Sequence, residues 1–256
     1  WEKDRISLLI SQLAAEIADL RSRQSNIDQV QVEIRRRLCQ VIGVDESDLP
    51  FAGELLQVRE EETAWQGAIE RLLRNFGLSL LVPDEHYRHV AKWVDETHLR
   101  GRLVYYRVRE GQQAGQSTLH PDSLVRKLSI KPDSGFYAWM EVEMSRRFDV
   151  ACCDTQAQFH REKRAITRNG QIRLSGERHE KDDRHTLGDR SRYVLGWNNR
   201  DKVDALEQRA KGLEKVIAEI GAHLAEIKQR ESELKDTLEA ISKLEEYGDF
   251  QELDWQ

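Results

Sequence analysis

Residues 209–241 read RAKGLEKVIAEIGAHLAEIKQRESELKDTLEAI, and the spacing of their apolar members decides how the rest of the chain is organised. Leu206, Ala210, Leu213, Ile217, Ile220, Leu224 and Ile227 recur in alternating steps of three and four, and after the polar Glu231 the stripe resumes at Leu234, Leu238 and Ile241. This is a heptad seam, a narrow apolar stripe that a second helix must cover.

A matching stripe opens the chain as Ile6, Ile10, Leu13, Ile17 and Leu20, and resumes after Gln24 as Ile27, Val30, Ile34, Leu38 and Val41. Read as one continuous helix of about 40 residues, it would be roughly 60 Å long at 1.5 Å per residue. Two helices of matched length, an arm over 1–44 and another over 201–245, predict an antiparallel pair. The central domain, 45–200, must then return the chain to its point of departure. Parallel self-dimerisation of each helix is the alternative. Residues 246–256 read as the start of a joint or of further coil.

Composition agrees with long helices: 34% of residues are charged and 39% hydrophobic, with only 4 prolines. Net charge is −6, which excludes a uniformly basic nucleic-acid coat. The charge is unevenly placed: residues 101–200 hold 19 basic and 13 acidic side chains (+6), and 201–256 hold 8 and 15 (−7). Cys39, Cys152 and Cys153 are an odd set with two members in an apolar run, which predicts buried, reduced thiols and a cytoplasmic setting. The chain contains neither a long apolar run nor a recognisable leader, so a membrane association is not expected, and a first residue other than methionine suggests a piece of a longer protein.

Between the arms the period changes. GELLQV (53–58), LSLLVP (78–83) and GRLVYYRV (101–108) read as strands. Residues 62–76, with Trp65, Ile69, Leu72, Leu73 and Phe76 on one face, and residues 84–98 read as amphipathic helices. Strand, helix, strand, helix, strand predicts an α/β unit with a parallel component. Further on, RKLSIKP (126–132) reads as a strand, 136–148 as a helix, VACC (150–153) as a buried strand and 155–165 as a helix. ITRNGQIRL (166–174) reads as a hairpin with a type I′ turn at Asn169-Gly170, and YVLGW (193–197) as the closing strand. Residues 111–121 and the charged stretch GERHEKDDRHTLGDRS read as loops. The fold class is thus an α/β domain, a mixed sheet with amphipathic helices, inserted between two antiparallel coiled-coil helices.

Motifs for chemistry are few. Gly111 and Gly115 are not followed by the lysine that a phosphate-binding loop requires, so no ATP site is expected here. The cluster from His179 to His185 lacks the second histidine of HExxH, Asp183 standing in its place, and a solvated, self-paired loop is preferred to a metal site. Cys152 and Cys153, in an apolar strand, read as packing groups rather than nucleophiles. Arg161, Lys163, Arg164, Arg168, Arg173 and Arg178 could together present phosphate contacts that position DNA without reading its sequence.

Several stretches carry a family resemblance: FAGELLQVREEETAWQGAIERLLRNFGLSLLVPDEHY (51–87), THLRGRLVYYRV (97–108), FYAWMEVEMSRRFDVACCD, REKRAITRNGQIR and ERHEKDDRH. Together with the two arms they resemble the hinge region of JetC-type SMC-like (structural maintenance of chromosomes) ATPases of the Wadjet anti-plasmid systems, relatives of MukB and MksB. The resemblance covers nearly the whole central domain. It implies a non-catalytic hinge that forms a homodimer within a condensin-like, loop-extruding complex on DNA. Kleisin, accessory and toprim-nuclease subunits would accompany it, with ATP and Mg at heads that this chain lacks. Chromosome maintenance of the MksB/MukB kind, or a hinge mainly for DNA binding, are the neighbouring readings. An exposed strand edge is a template for pairing, so Leu103, Val104, Tyr105 and Tyr106, or Tyr193, Val194 and Leu195, are the candidate dimer contacts.

Overall fold

The computed structural model describes residues 2–23, 25–109, 111, 118–175 and 177–245. Most of the expected loop 111–121 and the expected joint at 246–256 lie outside them. The chain divides into two compact units, one made of residues 1–15 and 207–256, the other of residues 16–206.

The first helix, α1 (Glu2–Ser22), is half the expected length. The periodic stripe continues past it, but the helix does not. Ser25, Asn26 and Asp28 favour local side-chain hydrogen bonds over helix, and the Ser25 hydroxyl accepts from the Ile27 N–H at 3.3 Å. Ile27, fully buried, turns into the core of the larger unit. The stripe then resumes on a separate helix, α2 (Gln29–Ile42), whose Ile34, Leu38 and Cys39 are buried and whose end is closed by Gly43 at φ 73°. Residues 29–42 therefore belong to the compact unit rather than to an arm.

The core of that unit is built on helices whose one-sided apolar pattern was legible. After β1 (Leu56–Val58) comes α3 (Gln66–Gly77), which buries Ile69, Leu73 and Phe76, with Trp65 buried just before its start. The next elements are β2 (Ser79–Pro83), α4 (Asp84–Glu96) and β3 (Val104–Val108), with β2 and β3 paired in parallel across the α4 crossover. β4 (Leu128–Ile130) pairs antiparallel with β1, so β1 lies outside the β2–β3 sheet. α5 (Tyr137–Phe148) buries Trp139, Met140, Met144 and Phe148. A second parallel pair follows, β5 (Ala151–Cys153) and β6 (Ala165–Thr167), connected through α6 (Gln156–Arg161). β7 (Gln171–Ser175) and β8 (Arg178–Lys181) extend this sheet antiparallel. The domain is mixed α/β as expected, but among the described residues its strands form three small sheets rather than one.

Three local expectations need correction. Gly170 has φ 74°, while the only non-glycine with positive φ among the described residues is Arg100, so the β6–β7 turn is not type I′. β8 lies in the charged stretch read as loop; its four residues are exposed, so no apolar alternation marks it. YVLGW is not a strand.

The last helix, α7 (Arg200–Glu245), carries the heptad seam. In the smaller unit, Ile6, Ile10, Ala210, Leu213, Ile217 and Ile220 are half-buried. Farther along, Leu224, Ile227, Leu234, Leu238 and Ile241 are exposed. The seam exists, but the two helices are not matched in length, 21 residues against 46.

Candidate functional site: the neck and the β3 edge

The stretch misread as a closing strand is held by side chains instead of by a sheet ladder. Glu70 of α3, 5% exposed, accepts the Val194 N–H at 2.9 Å and the Leu195 N–H at 3.1 Å on its carboxylate. One helical turn on, Arg74 donates to the Arg192 carbonyl and, at 3.2 Å, to the Asp28 carboxylate. Gly53 accepts the Gly196 N–H at 3.0 Å through its carbonyl. Sequence patterns describe strands and helices by their own periodicities, so a segment satisfied by a distant carboxylate leaves no such signature.

The incoming chain is tied to this outgoing segment. Asn26 donates its side-chain amide to the Leu195 carbonyl at 2.8 Å and the Asn198 carbonyl at 3.0 Å. Asn199 donates to the Leu20 and Arg23 carbonyls, at the end of α1 and just past it, at 2.5 and 2.6 Å. Lys202, only 2% exposed, donates to the Asn26 carbonyl at 2.7 Å and lies 3.8 Å from the Asp28 carboxylate. Leu20 and Leu206 are buried alongside. The larger unit thus fastens its own two ends together. Burial pushes the Glu70 carboxyl up to about 7, against the lowering effect of the two amides and of Arg74 and Lys202. Burial likewise lowers Lys202, opposed by Asp28 and Glu16.

The candidate pairing residues separate into two groups. Tyr193, Val194 and Leu195 are buried at the neck, with the Val194 and Leu195 amides committed to Glu70, so they offer no strand edge. Leu103, Val104, Tyr105 and Tyr106 are half-buried, the last three lying on β3. Tyr106 packs its ring against Phe76 and Trp139 at centroid distances of 5.7 and 5.8 Å, and Tyr105 against Tyr87 at 6.3 Å. Among the described residues β3 pairs with β2 alone, in a sheet of two strands.

The six candidate phosphate contacts are not a common face of uncommitted cations. Arg164 donates to the Arg146 and Arg147 carbonyls. Arg168 pairs with Asp154 at 2.7 Å and lies 5.2 Å from the Trp65 ring centroid. Arg173 donates to the His160 carbonyl at 3.3 Å, and Arg178 pairs with Glu180 at 2.7 Å. Arg161 and Lys163 are exposed.

The His179–His185 cluster is internally paired: Arg184 holds Asp182 well below the usual carboxylate range, and Asp183 pairs with Lys181 and Arg71. Among the described residues, no group of three His, Cys, Asp or Glu side chains is arranged to hold a metal ion. Burial pushes the Cys39, Cys152 and Cys153 thiols up to about 11, 12 and 11, the behaviour of packing groups. Among the described residues no helix is long and apolar enough to cross a membrane.

No protein-family model and no curated protein matches the chain. Among solved structures, it is similar to the Pyrococcus furiosus Smc hinge domain with an extended coiled coil, at 18% identity and TM-score 0.44, covering 94% of this chain and 84% of that one. It is also similar to the hinge domain of Geobacillus stearothermophilus SMC, solved as an asymmetric dimer, at 15% identity and TM-score 0.41, covering 90% and 97%. The folded elbow of cohesin is similar at 14% identity and TM-score 0.45, and the chain spans 35% of that structure.

Proposed function

We propose that the chain is the hinge of an SMC-type protein, a non-catalytic module through which two copies associate. The observation that carries this reading is the neck: Asn199 joins the end of α1 to the start of α7, so a domain inserted between two helices returns the chain to where it left. β3, paired on one side and lined by half-buried tyrosines, is the edge we assign to association. The quoted sequence stretches further suggest a JetC-like ATPase acting in the cytoplasm in plasmid defence. ATP and Mg would act at its heads, with kleisin, accessory and toprim-nuclease subunits and DNA as partners; an MksB/MukB-like chromosome role is the neighbouring alternative.

The test of the association edge is the double variant Leu103→Lys, Val104→Lys. It places two charges beside the unpaired edge, and a single-copy species with unchanged circular dichroism is expected where the wild type is a dimer. A variant that still dimerises with wild-type affinity removes β3 from the interface.

DNA contact is a second reading, carried by Arg161, the last residue of α6, and Lys163 just after it; Arg168 and Arg178 are exposed too but are paired with Asp154 and Glu180. Charge reversal at Arg161 and Lys163 should reduce salt-dependent binding of duplex DNA; unaltered binding removes the assignment.

A further inference from the structure

We propose that the hollow between β1 and the outgoing segment is a binding site for a short aliphatic amine, which donates its N–H groups to Asn26 and Gln57 and sets its charge near Glu60. The cavity has a volume of about 200 Å³ and lies within the larger unit, with Asn26, Gln57, Glu60 and Lys202 among the residues around it. At roughly 30 Å³ for each water of the liquid, it has room for a small guest and not for a stretch of folded polymer.

Two side-chain oxygens of the residues around this hollow lack donors. Asn26 is 6% exposed, and its Oδ1 is buried without a hydrogen-bond partner among the described residues. Exchanging the oxygen and nitrogen of this amide does not cure the deficit, because the Nδ2 position faces two acceptors, the Leu195 and Asn198 carbonyls. The Oε1 of Gln57, on β1, is likewise buried and unpartnered. A buried acceptor without a donor keeps the full cost of having left water, so the fold gains by taking in a donor.

The charged groups set the sign of that donor. Lys202 is committed: its ammonium donates to the Asn26 carbonyl at 2.7 Å and lies 3.8 Å from the Asp28 carboxylate, which offsets it. Arg190 and Asp201, also beside the hollow, face each other at 3.7 Å. Glu60 is exposed and makes no ion pair among the described residues, which leaves one carboxylate of the lining uncompensated. Two acceptors and one negative charge match an ammonium group, which joins N–H donors to a positive charge. Water meets the acceptors but not the charge, and a bare cation meets the charge but donates no hydrogen bond. The inference does not depend on self-association.

Titration of the full chain with butylammonium chloride at constant ionic strength, followed through the side-chain amide signals of Asn26 and Gln57, tests it. Saturable shifts of both signals are expected. Tetramethylammonium and potassium chloride, which carry the charge without N–H donors, should not reproduce them. Gln57→Met should weaken the binding roughly tenfold by removing an acceptor of a charged donor. Glu60→Gln, at an exposed position, should weaken it about threefold. Since a variant could fold poorly, a crystal structure of the wild type grown with butylammonium gives an independent reading, with the nitrogen expected beside Asn26 Oδ1 or Gln57 Oε1. Signals unmoved into the millimolar range, an equal response to tetramethylammonium or potassium, undiminished binding by a folded Gln57→Met, or a hollow that holds water alone overturns the assignment.

Discussion

The Asn199 side-chain amide stands 2.5 Å from the Leu20 carbonyl oxygen and 2.6 Å from that of Arg23, joining residues 179 and 176 positions apart in the chain. This side chain helps to close the loop formed by the domain, beside the contacts of Asn26 and Lys202. Asn199→Ala should destabilise the protein by about 1–2 kcal/mol, since water can partly replace the lost donor. Urea unfolding of the two proteins would measure this, and an unchanged midpoint would remove Asn199 from the neck's energetics.

Gly53 is required by close approach rather than by its backbone angle. A Cβ there would stand 2.5 Å from the Val194 carbonyl oxygen and 3.0 Å from that of Gly77, both rigid backbone atoms. Gly53→Ala should therefore cost about 1–3 kcal/mol. Gly135→Ala, where nothing lies within 4 Å, should leave thermal stability nearly unchanged and serves as the control.

Glu70 also makes a prediction for global stability. Its folded-state value, about 7, is raised above the ordinary 4.5, so its contribution is fully present below pH 4.5 and is lost as pH rises through 7. The wild type should lose up to roughly 3 kcal/mol relative to Glu70→Gln across that window, an order-of-magnitude figure for a shift of this size. Paired urea titrations at several pH values give the difference directly, and a flat difference would contradict it.

The thiols should be silent in the native protein. With Cys39, Cys152 and Cys153 buried and pushed up to between about 11 and 12, an aromatic disulfide reagent at pH 8 should find none of them. It should find all 3 after denaturation. Rapid native labelling of the Cys152-Cys153 pair would mean that β5 is not enclosed.

Elements that bury one face announced themselves in the sequence. α3, α4 and α5 have the apolar spacing of helices set against a core, and β2 carries the apolar run Leu80-Leu81-Val82 because almost all of it is inside. The heptad stripe was legible too, but periodicity records which face is apolar, not whether the backbone stays helical. The stripe through Leu20, Ile27 and Ile34 therefore concealed the break at 25–28. β8 was lost for the opposite reason: Arg178, His179, Glu180 and Lys181 are all exposed, and an edge strand without a buried face has no pattern to read. The neck was least legible of all. Glu70 meets Val194 and Asn26 meets Leu195 across separations of 124 and 169 residues, contacts that no local spacing encodes.

Self-association is measured most directly by sedimentation equilibrium of the wild-type chain over a concentration series extending to tens of micromolar. A species of twice the 29.9 kDa chain mass is the expected result. A chain that stays at 29.9 kDa throughout, while remaining folded, would contradict the assignment of this domain as a dimerising hinge.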